Sequence, residues 1–129
     1  MKMWDGRFKK TLNEAVNDFN SSISFDCRMY KEDIEGSIAH ATMLGKCGII
    51  EASEAELICK TLKEIRADLD SGALLFDPEA EDIHMFVESI LTQRIGDTGK
   101  RLHTSRSRND QVALDIRMYL KNQITEIGA

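Results

Sequence analysis

The segment from Thr104 to Gln111 concentrates groups that bind small anions. It carries two guanidinium groups, three hydroxyls and side-chain amides, and it directly precedes a helical pattern. Amide N–H groups in the first turn of a helix, together with arginine, form a site for a carboxylate or a phosphate. A solvated basic loop with Asn109 or Asp110 as the helix cap is the alternative interpretation. Composition alone favours that alternative, because caps and charged loops are common.

Length and composition limit the classes of protein to which the chain can belong. Its 129 residues suffice for one domain, and 42% hydrophobic with 30% charged residues predicts a soluble globular protein. The net charge of −5 argues against a protein that coats nucleic acid. We expect no leader peptide, because the first residues are charged, and no apolar run is long enough to span a membrane. Cys27, Cys47 and Cys59 form no C-x-x-C pair, which favours reduced thiols in the cytoplasm.

The spacing of apolar residues predicts an all-α fold. Apolar side chains recur at three- and four-residue steps along most of the chain, and no alternating strand pattern is present. After an irregular N-terminal segment with a short helix near Leu12, we expect four main helices. Their predicted ranges are 26–47, 53–71, 80–96 and 109–127.

Local signals suggest where these helices begin and end. Ser53 and Glu56 form a capping box, and Gly72 provides a C-terminal stop. Asp77 and Pro78 open the third helix. Residues 96–99 are expected to form a loop.

The last helix has no clear stop before Ala129. We therefore expect residues 1–129 to be one N-terminal domain of a longer protein, with the last helix truncated at 109–129. Truncation should leave part of its apolar stripe uncovered. The residues concerned are Tyr119, Leu120, Ile124 and Ile127.

Two further groups of charged residues have competing interpretations. His84 lies between Glu81 and Glu88, which is compatible with a metal cluster, but we expect a hydrogen-bonded histidine and no metal. The acidic run of Glu32, Asp33 and Glu35 is predicted to be a solvated face.

Four segments together resemble one enzyme family. Residues 103–112 read HTSRSRNDQV and resemble the H-T-G-R-S-R-N-D-Q-V signature of the argininosuccinate lyases in the fumarase/aspartase superfamily, with Ser105 in place of the usual Gly. Residues 4–8 resemble the opening W-G-G-R-F, residues 19–26 resemble F-N-A-S-I-x-Y-D, and residues 81–84 match E-D-I-H. Four matches in the family's order make the resemblance specific.

The resemblance implies a reaction and a set of site residues. The reaction is β-elimination of argininosuccinate to arginine and fumarate, in arginine biosynthesis and the urea cycle, without a cofactor or a metal. Ser22, Arg108 and Asn109 are implied to bind substrate. The residues implied to support the site are Asp26, Asp82, His84, Thr104 and Arg106.

Departures from the family pattern limit what this chain is expected to do. The family's S-S-x-M-P-x-K-x-N loop, which carries the catalytic serine, is absent, and so is its Thr-His pair. The central helical bundle and the C-terminal domain of the family are absent as well. In the superfamily, three subunits of a homotetramer build each active site. The resemblance therefore implies a chain that supplies substrate-binding residues, is inactive alone and self-associates.

Two other functions remain open at this point. The chain is interpreted alternatively as a helical module that grips phosphates through Arg101, Arg106 and Arg108. A catalytically silent, crystallin-like structural relative of the lyases is the other possibility. The motifs do not separate an active lyase from a silent one.

Overall fold

The computed structural model describes residue 15 and residues 21–128. Within these ranges the regular structure is helical and contains no strand, which confirms the all-α prediction. The helices are Ile23–Asp26 (α1), Tyr30–Lys46 (α2), Ala52–Ser71 (α3), Ile83–Ile95 (α4), Asp97–Lys100 (α5) and Arg108–Gly128 (α6). The 3-10 turns Cys27–Met29 and Arg101–His103 precede α2 and follow α5. The helix predicted near Leu12 lies outside the described residues, except that Ala15 is helical.

Helices α2 and α3 form the centre of the domain. Their inward apolar positions recur at helical spacing, and Ile34, Leu44, Ile58, Leu62 and Ile65 have no solvent-exposed surface. The two helices approach closely where α2 ends, because Gly45 has no side chain to separate it from Ala55. A Cβ atom at Gly45 would lie 2.7 Å from the Cβ of Ala55.

The start of α3 differs from the prediction. The capping box at Ser53 and Glu56 is wrong, since Glu51 is the N-cap and the box pairs it with Glu54. The Glu51 N–H donates to Oε1 of Glu54 at 3.2 Å. Glu51 has extended backbone angles, so the helix begins two residues earlier than a serine cap would place it. The predicted stop at Gly72 is confirmed by its left-handed φ of 80°.

The start of α4 also differs. Asp77 and Pro78 do not open the helix, because Asp77 Oδ1 accepts the Glu79 N–H at 2.9 Å and closes a local turn instead. Asp82 is the N-cap, and its Oδ1 accepts the Met85 N–H at 2.7 Å. After α4, the predicted loop at 96–99 is wrong because Asp97–Lys100 folds into the short helix α5.

Helix α6 docks onto α2 with polar side chains. Its buried residues are Gln111 and Asp115, one helical turn apart on the same face. Its predicted apolar stripe faces outward, with Leu120, Ile124 and Ile127 exposed by 52%, 69% and 83%. The prediction that these three residues are partly uncovered is confirmed, and Tyr119, the fourth residue of that prediction, is half-buried. None of the helices in the described ranges is long and apolar enough to cross a membrane.

Candidate functional site

Residues 104–107 form the loop that leads into α6. The N-cap is Ser107, whose Oγ accepts the Asp110 N–H at 3.2 Å, so the predicted cap at Asn109 or Asp110 is wrong. The helix begins one residue earlier than predicted, at Arg108, and Asn109 lies exposed in its first turn. Ser105 has a φ of 57°, in the left-handed region that non-glycine residues rarely adopt. The chain therefore bends sharply just before the two arginines.

Two contacts tie this loop to α2. The carbonyl oxygen of Thr104 lies 2.8 Å from Nε2 of His40, at hydrogen-bond distance. The guanidinium of Arg106 donates from Nη1 to Oγ of Ser37 at 3.2 Å. Both α2 residues lie on the side of the helix that faces the loop. Helix α2 thus fixes the loop from one side.

Glu88 of α4 fixes the loop from the other side. Its carboxylate accepts a bidentate hydrogen bond from Arg108, with Nη1 3.1 Å from Oε1 and Nη2 3.0 Å from Oε2. Arg108 also donates to Oε1 of Gln111. Nη2 of Arg106 and Nδ1 of His103 lie 3.9 and 3.6 Å from the same Oε1 of Glu88. The Glu88 carboxylate therefore faces three basic side chains, those of His103, Arg106 and Arg108.

Arg106 is the most buried of these basic groups, with a side chain only 8% exposed. Within the described residues, its Nε and Nη2 atoms are buried without a hydrogen-bond partner. Burial lowers the pKa of Arg106 below its usual value, and the charges of Asp33 and Glu88 oppose that change. The side chain stays charged, because arginine does not lose its proton in proteins.

A buried triad of ionisable groups lies behind the loop. Nδ1 of His84 is 2.7 Å from Oδ1 of Asp33 and 3.2 Å from Oδ2 of Asp115, and all three side chains are at most 3% exposed. Nε2 of Gln111 donates to the same Oδ1 of Asp33 at 2.7 Å. The triad joins α2, α4 and α6, and Gln111 connects it to Arg108.

The triad shifts the pKa values of its members. Burial alone lowers the pKa of His84, but hydrogen bonds to Asp115 and Asp33 and the charge of Asp33 reverse this and raise it to about 10. Burial and the neighbouring Asp33 raise the pKa of Asp115 to about 7. Burial acts in the same upward direction on Asp33, yet its hydrogen bonds to His84, Asp115 and Gln111 leave the pKa of Asp33 below its usual value.

The same three side chains are types that ligate metals. One potential ligand atom from each lies within 4.8 Å of the others. However, the raised pKa of His84 makes the ring a cation whose Nδ1–H faces both carboxylates. A metal would have to displace this proton, because only an unprotonated ring nitrogen binds a metal. The geometry of the triad is that of a charged hydrogen-bonded cluster.

A second polar group forms where α1 meets the start of α4. Ser22 donates from Oγ to Oδ2 of Asp26 at 2.6 Å, and Oδ1 of Asp26 accepts the Ile83 N–H at 3.1 Å. The Ser22 N–H donates to the Glu81 carbonyl at 2.7 Å. Burial raises the pKa of Asp26, while its hydrogen bonds with the Ser22 hydroxyl and the Ile83 N–H act in the opposite direction. The contacts bring Ser22, Asp26 and the Asp82 cap together at one helix terminus.

Sequence reasoning missed several buried polar residues. The predicted solvated face is wrong for Glu32 and Asp33, which are 7% and 1% exposed. Asp33 is buried because His84 and Gln111, both distant in sequence, supply its hydrogen bonds. The available signal was spacing: Gln111 and Asp115 are four residues apart, as are Asp33 and Ser37. Such pairs place polar groups on one helix face.

Comparison with known proteins assigns the chain to a family. A protein family described as lyase matches residues 6–128. The chain belongs to this lyase family. It is 64% identical over 127 residues to an argininosuccinate lyase of Acetivibrio thermocellus, an alignment covering 98% of this chain and 28% of the relative. This match confirms the resemblance to argininosuccinate lyases that the four motifs indicated.

Two further relatives extend the comparison. An argininosuccinate lyase of Ruminiclostridium cellulolyticum is 65% identical over 127 residues, covering 98% of this chain and 28% of the relative. That of Desulforamulus reducens is 63% identical over 129 residues, covering 100% of this chain and 28% of the relative. The lyase-family chain thus spans 28% of the length of each of these relatives.

Proposed function

We propose that this chain is the N-terminal domain, residues 1–129, of an argininosuccinate lyase that cleaves argininosuccinate to arginine and fumarate. The observation that carries the proposal is the identity of 64% to such an enzyme along 98% of the chain. The packing of the Arg106–Arg108 loop against α2 and α4 supports it, because substrate carboxylates need donors that are already in place.

In the proposed β-elimination, a base removes a proton beside a carboxylate of argininosuccinate. Negative charge develops on that carboxylate before the C–N bond breaks and arginine leaves. Arg108 and the first-turn N–H groups of α6 are suited to stabilise this charge, with Asn109 and Ser22 as further substrate contacts. The proposed supporting residues are Asp26, Asp82, His84, Thr104 and Arg106.

Several properties of the intact enzyme follow from this proposal. We propose a cytoplasmic homotetramer that takes argininosuccinate, arginine and fumarate as ligands and needs no cofactor. The free thiols of Cys27, Cys47 and Cys59 support a reducing compartment. The exposed apolar face of α6 supports burial against other subunits.

A kinetic experiment tests the proposal on the longer protein that contains this chain. Fumarate release from argininosuccinate is followed by ultraviolet absorbance. We expect Arg108→Ala to lower kcat/KM by about 100-fold or more, because it removes a donor to developing charge. The control is Arg117→Ala, which removes an exposed arginine of α6 and should leave activity unchanged. Absence of argininosuccinate cleavage by the wild type would refute the proposal.

The isolated 129-residue chain gives a separate prediction. We expect it to release no arginine or fumarate, because the family's Thr-His pair and catalytic loop lie outside it. Product analysis by chromatography at high protein concentration checks this expectation. Steady product formation that scales with the amount of purified chain would contradict it.

The geometry does not favour the phosphate-binding alternative. Arg101 pairs with Glu54 at 2.8 Å. Arg106 points into the protein, where its side chain is only 8% exposed. A module that grips a phosphate backbone presents its basic groups outward instead.

A further inference from the structure

The carboxylate of Glu88 on α4 faces three basic side chains at the start of α6 and in the loop before it. Glu88 lies one helical turn after His84 on α4, and its side chain is 19% exposed. We propose that Glu88 is a positioning residue that fixes the guanidinium of Arg108 in the orientation that binds a substrate carboxylate. This inference rests on the proposed function and assigns a role to a residue outside the four family motifs.

Its bidentate hydrogen bond with Arg108 suits Glu88 to this role. The two nitrogens of Arg108 face the two oxygens of Glu88 at 3.1 and 3.0 Å. A single hydrogen bond leaves a guanidinium free to rotate, whereas two parallel bonds fix both its plane and its distance. Glu88 therefore fixes the plane of the Arg108 guanidinium and its distance from α4.

Glu88 also keeps two like charges close together. Arg106 and Arg108 are near enough that the charge of Arg108 lowers the pKa of Arg106. Without a shared counter-ion, their repulsion would push Arg108 outward, since Arg106 is held by Ser37. The carboxylate of Glu88 faces both guanidinium groups and offsets that repulsion.

Glu88 acts through Arg108 rather than on the substrate. Both of its oxygens accept hydrogen bonds from Arg108, and its negative charge repels the carboxylates of the substrate. On its other side, Arg108 contacts Gln111, which donates to the buried Asp33. The guanidinium is thus held between a partly exposed carboxylate and the buried triad.

The first test measures the orientation of Arg108 directly in the 129-residue chain. NMR of the arginine side chains is recorded for the wild type, Glu88→Gln, and the control Glu64→Gln, which alters an exposed glutamate of α3. Signals assigned to Arg108 by their loss in Arg108→Lys should show slow guanidinium rotation in the wild type and control. They should show fast rotation in Glu88→Gln. Slow rotation that persists in Glu88→Gln would overturn the proposal.

The second test measures kinetics in the longer lyase. We expect Glu88→Gln to raise KM for argininosuccinate by about tenfold to a hundredfold, with a smaller change in kcat, because the binding group is misplaced. The effect should shrink to less than about threefold in an Arg108→Lys background, since coupled residues are not additive. An unchanged or lowered KM, or full additivity, would overturn the proposal.

A third variant guards against a folding defect. Glu88→Asp keeps the charge but retracts the carboxylate, so it should raise KM while retaining wild-type helicity and melting temperature. An unchanged KM in this variant would show that charge alone suffices and would overturn the positioning role. If the wild-type lyase does not cleave argininosuccinate, the proposed function fails, while the NMR experiment still decides whether Glu88 orients Arg108.

Discussion

Ser105 occupies a position that favours glycine. Its φ of 57° lies in the left-handed region, where a side chain costs about 1–2 kcal/mol. The signature that residues 103–112 resemble has Gly at this place, and the backbone angle gives the physical reason. The resemblance showed that Ser105 stands where the family motif has Gly. The structure adds that the backbone at Ser105 keeps the left-handed conformation that favours glycine.

We therefore expect Ser105→Gly to stabilise the chain by up to about 1 kcal/mol, because relief of strain exceeds the extra entropy of the unfolded glycine. Urea unfolding followed by circular dichroism measures the change. The control is Ser89→Gly in the middle of α4, which should destabilise by about 0.5 kcal/mol since its backbone is helical. A destabilised Ser105→Gly would contradict this explanation.

The buried triad predicts how stability depends on pH. The pKa of His84 is raised from 6.5 to about 10, so its stabilising contribution is complete below 6.5 and is lost as pH rises through 10. The pKa of Asp115 is raised from 3.8 to about 7, so the folded state binds its proton more tightly and loses stability as pH rises across that interval. Both groups therefore make the free energy of unfolding fall as the pH rises.

We expect the free energy of unfolding to fall between about pH 5 and pH 9. Urea titrations at several pH values measure it. Asp115→Asn mimics the protonated carboxyl, so this variant should lose the part of the fall below pH 7. Above pH 7 it should keep a smaller fall, because Asp115 also contributes to the raised pKa of His84. A free energy that stays constant or rises over this range would contradict the prediction.

The sequence predicted the helices better than their termini. Long apolar repeats identified α2, α3, α4 and α6 within a few residues, because helical periodicity is a local property. The caps were less predictable, since Glu51 and Asp82 compete with nearby Ser53 and Asp77, which also fit capping patterns. Tertiary contacts decide between such candidates. The Ser22 and Asp26 contacts to residues 81 and 83, for example, fix where α4 begins.

Close packing of α2 on α3 depends on Gly45. We expect Gly45→Ala to destabilise the chain by about 1–3 kcal/mol, because the added Cβ would lie 2.7 Å from that of Ala55. Thermal unfolding measures the loss. Gly128→Ala is the matched control, since a Cβ there meets no atom within 4 Å and the substitution should be neutral or slightly stabilising.

A second variant tests the cause of this effect. Ala55→Gly removes the opposing Cβ, so the Gly45→Ala substitution should cost much less in that background. Equal losses in both backgrounds would show that the helix contact is not responsible.

Buried polar side chains join α6 to α2 and α4, while the outer face of α6 is apolar. The sequence predicted the apolar stripe, but periodicity alone did not show that Gln111 and Asp115 form the buried side. Their partners, Asp33 and His84, lie on other helices, and no local pattern pairs such residues. This is why the order of the helices was predictable and the interior of the site was not.

The exposed face of α6 predicts self-association of the 129-residue chain. Leu120, Ile124 and Ile127 are more than half exposed and follow one another at helical spacing, so pairing would remove apolar surface from water. Light scattering should give a mass that increases with concentration. Ile124→Lys should reduce the association, whereas Leu75→Lys, which changes an exposed residue away from α6, should not. A monomer at every concentration would contradict the prediction.

The contacts of Asp33 on α2 with Gln111 and His84 also determine when the buried triad can form. Asp33 and Gln111 are separated by 78 residues in the chain, and His84 and Asp33 by 51. A nascent chain therefore cannot complete the triad until nearly all of these residues have left the ribosome. Until then Asp33 lacks the amide donor of Gln111. Assembly of the buried triad is thus a late event in the synthesis of this chain.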